Sequence, residues 1–138
     1  CEGMDKDGIL HTIDNNKELV EIQNKYFKKA NLTNKIVQHS GDAKNIIPSI
    51  DEEFDIVFID ADKESYPEYY DLIINKVRSG GIIIADNILW SGKILEKVEK
   101  DDQATKSIIE FNNKIIEDDR VKNIILPIRD GLNIVRKN

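Results

Sequence analysis

Cysteine is nearly missing from this 138-residue sequence. Cys1 is the only one, so no intrachain disulfide can form and a reducing cytoplasmic compartment is the expectation. Long apolar runs are missing as well. No stretch approaches the roughly 20 residues a membrane-spanning helix needs, and no basic, apolar leader is visible, so no membrane partner is expected. A surplus of positive charge is also lacking: 26 acids against 20 bases give a net charge of −6, spread along the chain. That balance disfavours non-specific attraction to nucleic acid or anionic membrane and leaves room only for a local basic patch. Repeats, low-complexity tracts and linkers are absent. What is present, 40% hydrophobic and 33% charged residues, is the balance of a globular chain, and the length predicts a single domain over 1–138.

Strand-like and helix-like segments alternate. Ile9 to Ile13 reads as a strand that breaks at Asp14-Asn15-Asn16. An amphipathic helix follows, with Leu19, Ile22, Tyr26 and Ala30 on one face, an Asn15/Glu18 capping box and an end near Asn31. Lys35 to His39 is a second strand, leading through Gly41-Asp42-Ala43 into a short helical stretch limited by Pro48. Phe54 to Ile59 is continuously apolar but for Asp55 and ends in Asp60-Ala61-Asp62-Lys63, the pattern of a strand buried on both faces. Ser65, Pro67 and Glu68 then start a helix with Tyr69, Leu72, Ile73 and Val77 inward, closed by Ser79-Gly80-Gly81. Ile82 to Ala85 repeats the apolar strand and ends in Asp86-Asn87. After a loop holding Trp90, Ser91 and Gly92 comes a helix with Ile108, Phe111 and Ile115 on one face. Val121 to Ile128 and Leu132 to Arg136 form a hairpin through Arg129-Asp130-Gly131. The fold class is α/β, a mostly parallel sheet with an antiparallel C-terminal hairpin.

Asp14, Asp60 and Asp86 each finish a strand, and Asp42 follows a fourth. In a parallel sheet those ends open onto the ligand crevice. Any one of these acids could simply cap the next helix. Gathered at one sheet edge, carboxylates repel one another unless a cation or a hydroxyl-rich ligand lies between them. Asp60, Asp86 and Asn87 offer oxygen donors with neither Cys nor His nearby, which suits Mg²⁺ or another hard divalent cation better than zinc. Lys63, in the same crevice, could anchor an anion or serve as a base, or be only a solvated lysine at a helix entry. Asp14 has the placement of a ribose-hydroxyl ligand in nucleotide-binding α/β folds, but the glycine-rich turn expected about 20 residues earlier falls before Cys1.

Taken together, Thr12-Ile13-Asp14, Gly41-Asp42-Ala43, Phe54 to Lys63, Asp86-Asn87-Ile88-Leu89-Trp90-Ser91-Gly92 and Pro127 to Leu132 resemble one family. It is the cation-dependent, S-adenosylmethionine-using O-methyltransferases, the group of caffeoyl-CoA and catechol O-methyltransferases and their bacterial relatives. The resemblance implies a Rossmann-like class I methyltransferase fold. It implies Asp60, Asp86 and Asn87 as metal ligands, Lys63 as base or substrate anchor beside Asp60, and Trp90 as a wall of the acceptor pocket. Asp14 would bind the ribose, Asp42 and the Ala43 backbone the adenine, with Asp60 also near the cofactor. Asp130 would touch the acceptor, against the simpler reading of a hairpin-turn aspartate. The family's glycine-rich first strand and N-terminal helices, which help form its dimer, have no counterpart here. The chain is therefore expected to be an N-terminally incomplete methyltransferase domain from a longer, homodimeric polypeptide. The implied acceptor is a small hydroxylated aromatic of the catechol type. A hydroxylated tRNA base is the alternative acceptor, and a non-catalytic α/β interaction module the alternative should the chain be this short. A nicotinamide-dependent dehydrogenase would explain Asp14 but leave Asp60, Asp86 and Asn87 without a role.

Overall fold

Hydrophobic periodicity settles into six strands and four α-helices in the structure, a computed structural model that describes residues 1–138. The chain divides into two compact units, Cys1–Ile50 and Asp51–Asn138.

In the first unit, β1 (Leu10–Asp14) pairs in parallel with β2 (Ile36–Ser40), with Asp14 opposite Ser40. Between them a 3₁₀ turn, Lys17–Leu19, runs into α1 (Val20–Lys29). The cap is Asn16, whose side chain accepts from the Glu18 amide at 3.0 Å, rather than the expected Asn15. The shift follows from Asp14, which takes the Asn16 amide at 2.8 Å and so fixes the turn one residue later. The helix ends at Lys29, just short of Asn31, which adopts a left-handed φ of 56°. The apolar face expected to be buried is not: Leu19, Ile22 and Tyr26 are exposed, because a sheet of two strands offers α1 little surface to cover. After β2 come α2 (Ala43–Ile46) and a 3₁₀ turn, Ile47–Ser49, that accommodates Pro48.

The second unit is built on a four-stranded sheet in the order β3-β4-β6-β5, comprising β3 (Phe54–Ile59), β4 (Val77–Asp86), β5 (Val121–Leu126) and β6 (Leu132–Lys137). β3 and β4 are parallel, while β6 runs antiparallel to both β4 and β5, as the hairpin signal requires. α3 (Tyr66–Ile74) and α4 (Gln103–Glu117) supply the core with Tyr66, Tyr70, Ile74, Ile108, Phe111 and Ile115, packed with Val77, Ile83, Ala85 and Val135 of the sheet. Both Tyr66 and Tyr70 present edges to the Phe111 ring, at 5.3 and 6.1 Å between centroids.

Three expectations change here. Acids at the ends of one sheet are instead divided between two sheets, because no strand pairs with the outer edge of β1 or of β3. β3 is not buried on both faces: Ile56 and Phe58 are 65% and 59% exposed, since burial alternates along β4 and β6 and the helices cover one face only. α3 also stops at Ile74, and Val77 begins β4 instead of extending the helix. The register between β3 and β4 shifts there, and a side chain at Gly81 would meet Val77 Cγ1 at 2.6 Å, so glycine permits the irregular strand to close up.

Candidate active site

Parallel pairing of β3 with β4 ends at Ile59 opposite Ala85, so the next residues, Asp60 and Asp86, stand side by side at the strand ends, Asp86 still paired with Leu132 of β6. Asn87 follows in the left-handed conformation that asparagine tolerates, at φ 61°, and its amide donates to Asp86 Oδ1 at 2.7 Å. On the β3 side the chain turns at once into a 3₁₀ turn, Lys63–Ser65, and then α3. This turn swings Lys63 back over the strand ends. Its Nζ donates to Asp60 Oδ1 at 3.3 Å and to the Tyr66 hydroxyl at 2.5 Å. The lysine side chain is only 10% exposed, against 54% for Asp60.

Asp62 has a different task. Burial would raise its carboxyl, but hydrogen bonds from Ser65 and Tyr69 outweigh that and hold it below the ordinary carboxylate range. The Tyr69 hydroxyl donates to it at 2.6 Å. Asp62 thus anchors the entry to α3, where Ser65 had been expected to cap; Ser65 makes no cap bond to the helix and is buried.

The segment after Asn87 is held from two sides. The amides of Ile88 and Leu89 donate to the Gly131 and Asp130 carbonyls at 3.2 and 3.0 Å, and Asn112 of α4 donates to the Ile88 carbonyl at 3.0 Å. Trp90, Ser91 and Gly92 then take φ values of 49°, 54° and 81° in succession. Asp130 fastens this left-handed turn, its Oδ1 accepting from the Ser91 amide at 2.6 Å. That contact accounts for Asp130 as a hairpin-turn residue that also tethers the Trp90 loop. The indole Nε1 of Trp90 is buried with no hydrogen-bond partner in the chain.

In the first unit, Asp14 and Asp42 stand together at the carboxyl end of the strand pair, joined by the Gly41 amide donating to the Asp14 carbonyl at 2.9 Å. Asp14 Oδ2 accepts from Gln23 of α1 at 3.2 Å, and Gln23 in turn accepts from Gln38 of β2. Asp42 caps α2 by taking the Lys44 amide at 2.9 Å, which leaves Ala43 as the first helical residue.

No three His, Cys, Asp or Glu side chains in the chain converge closely enough to hold an ion. The Asp60, Asp86 and Asn87 set has two carboxylates and an amide, all oxygen donors, and its chemistry fits a hard cation that keeps water and substrate as further ligands. A depression of about 870 Å³ lies elsewhere, lined by Tyr70, Asp71, Lys114, Asp118 and Arg120 among others. It is a poor candidate for the chemistry. Its tyrosine, aspartate and arginine are already bonded to one another, with Tyr70 donating to Asp118 at 2.9 Å and Arg120 at 2.7 Å.

Two residues in the second unit escaped sequence reasoning. Tyr66 follows Lys63 by three, a spacing that brings side chains together on a helical turn, and Asn112 is a polar residue amid the buried face of α4.

Comparison with known proteins decides the family: the O-methyltransferase family matches residues 1–138, the whole chain. The chain belongs to the O-methyltransferases. Among curated relatives, tricin synthase 2 of Oryza sativa subsp. japonica is 33% identical over 144 residues, covering 95% of this chain and 49% of its own length. Probable caffeoyl-CoA O-methyltransferase 3 of Dictyostelium discoideum is 36% identical over 152 residues, covering 97% and 61%. The O-methyltransferase from Bacillus cereus, solved in complex with SAH, superposes with a TM-score of 0.90 at 25% identity, over 99% of this chain and 66% of that one. The class I methyltransferase fold is thereby established, and the chain spans about half to three fifths of the curated relatives' length.

Proposed function

We propose that the protein transfers a methyl group from S-adenosylmethionine to a hydroxyl of a catechol-like small molecule, with a hard divalent cation such as Mg²⁺ held by Asp60, Asp86 and Asn87. The observation that carries this reading is that Asp60 and Asp86 stand at adjacent, register-paired strand ends with the Lys63 amine hydrogen-bonded to Asp60.

When bound, the cofactor supplies an electrophilic sulfonium methyl and the cation an electrostatic hold on an acceptor oxygen. The chain's own residues do the remainder. A phenol, with a pKa near ~10, is mostly protonated at neutral pH and needs a group to take its proton. Lys63 Nζ is that group in this reading, fixed between Asp60 and Tyr66 so that the proton has one place to go. Asp62, engaged by Tyr69, stays out of the chemistry. Trp90 walls the acceptor pocket in this reading, with its indole Nε1 buried and unpaired within the chain. Asp130 holds that loop through Oδ1, and its place in the hairpin turn beside the loop supports an acceptor contact as well. Asp14 would take the ribose hydroxyls, and Asp42 with the Ala43 amide the adenine; Asp60 would serve the cofactor as well as the cation. No helix is long and apolar enough to cross a membrane. A cytoplasmic homodimer acting on small molecules is the setting this reading takes.

Supplying the chain with labelled S-adenosylmethionine and catechol, with Mg²⁺ or after exhaustive chelation, tests the proposal. Transfer should need the ion and vanish in Asp60→Ala. Undiminished transfer after chelation would remove the metal role, and transfer to bulk tRNA but not to catechol would reassign the acceptor.

A further inference from the structure

The side chain of Tyr66 is wholly inaccessible, and its hydroxyl lies where three parts of the strand-end site meet. Lys63 Nζ donates to it at 2.5 Å. The hydroxyl itself has the main-chain carbonyl of Asp86 at 3.0 Å and that of Ile59 at 3.3 Å as acceptors. Those carbonyls belong to the ends of β4 and β3, where the ladder between the strands has just run out. A phenol has one proton and lone pairs to spare, so it can accept from the lysine while donating to the two carbonyls, the nearer being that of Asp86.

The ring is held as firmly as the hydroxyl. It packs edge-on against Phe111 and carries Lys63 Nζ 4.6 Å from its centroid. A phenol keeps its proton at neutral pH, so the hydroxyl is a donor as well as an acceptor. An amine acting as a base has two N–H groups and one lone pair. Asp60 takes one N–H and Tyr66 the other, which leaves the lone pair open to the acceptor's hydroxyl.

Resting on the methyltransferase reading of this site, we propose that Tyr66 is a positioning residue. Its hydroxyl aims the Lys63 amine and ties together the strand ends that present Asp60 and Asp86. A flexible four-carbon stem would otherwise let the amine swing into solvent.

Competitive labelling of lysine amines with a small acylating reagent, read residue by residue by mass spectrometry, tests this on the metal-free chain. In the wild type Lys63 should react about tenfold more slowly than exposed Lys97, the scale of one hydrogen bond to a charged group. Equal rates for the two lysines would overturn the proposal without any variant. Tyr66→Phe keeps the ring and removes only the hydroxyl, and should speed Lys63 severalfold, short of the Lys97 rate because the Asp60 bond and the burial of the side chain remain. Lys137, whose Nζ donates to the Val77 carbonyl at 2.7 Å elsewhere in the unit, should be unaffected. An unchanged Lys63 rate in the variant refutes positioning, and equal acceleration of Lys63 and Lys137 refutes it in favour of general loosening. Mn²⁺ titration of the wild type is the separate control. Failure to bind would count against the methyltransferase reading, while the labelling rates still decide the role of Tyr66.

Discussion

Removing the Asp130 carboxylate should free the Trp90 loop while leaving the fold intact. Trp90 and Ser91 are both left-handed, a conformation costing non-glycine residues roughly 1 kcal/mol or more each, so about 2 kcal/mol works against the turn. Opposing it are the Gly92 amide on the Leu89 carbonyl at 2.9 Å, the Trp90 amide on the Asn87 carbonyl at 3.2 Å, and the Ser91 amide on Asp130 Oδ1 at 2.6 Å. The last is a bond to a charged acceptor. At an exposed position it contributes near the low end of its range, about 1.5 kcal/mol. Its loss in Asp130→Ala should raise the local opening equilibrium about tenfold. Trp90 is the sole tryptophan, so intrinsic fluorescence reports this loop and nothing else. The expected result is a red-shifted emission and stronger acrylamide quenching in Asp130→Ala. Asp130→Asn, which keeps an acceptor oxygen, should give a smaller change. The denaturant midpoint should move little, because the loop lies outside the core. Emission and quenching identical to wild type in Asp130→Ala would refute the tether.

Phe111→Ala removes the ring that Tyr66 and Tyr70 both contact and should cost about 3–5 kcal/mol in urea unfolding; a loss below about 1 kcal/mol would contradict the assigned core. Hydrogen bonds from Arg120 and from Tyr70, outweighing burial, hold Asp118 well below the ordinary carboxylate range. Its folded-state value is thus depressed, and the stability it confers is present at neutral pH and lost as pH falls through that lowered value. Asp118→Asn should therefore destabilise at pH 7, with the gap to wild type narrowing below about pH 4, as followed by thermal melts across pH. A gap that widens on acidification would reverse the sign. Gly131→Ala places a Cβ 2.5 Å from Leu89 Cγ at a φ of 84°. It should destabilise by more than about 1 kcal/mol and disturb Trp90 fluorescence, whereas Gly92→Ala, with open space around it, should meet only the backbone strain.

Much of this was legible because local chemistry fixed it. The apolar runs at Phe54 to Ile59 and Ile82 to Ala85, each closed by an acid, became β3 and β4, and the Arg129-Asp130-Gly131 signal became the hairpin between β5 and β6. Ile108, Phe111 and Ile115 face the core as their spacing required. Periodicity misjudged α1 and the outer face of β3, because it says which side of an element is apolar, not whether anything covers it. The boundary between α3 and β4 also escaped, since Val77 continues the helical spacing and only the strand pairing at Phe54 reassigns it.

By itself the sequence determined the strand-end acids, the lysine that follows and the family they belong to. Those depend on residue type and short spacing, and both survive without a neighbour. Tertiary structure decided how those residues are held. Tyr66 beneath Lys63, Asn112 on the Ile88 carbonyl and Asp130 on Ser91 all join segments distant in the chain or turned onto one another by the fold. A hydrogen bond needs its partners within about 3 Å and aligned, and the turn into α3, the packing of α4 on the sheet and the pairing of β6 with β4 bring those atoms that close.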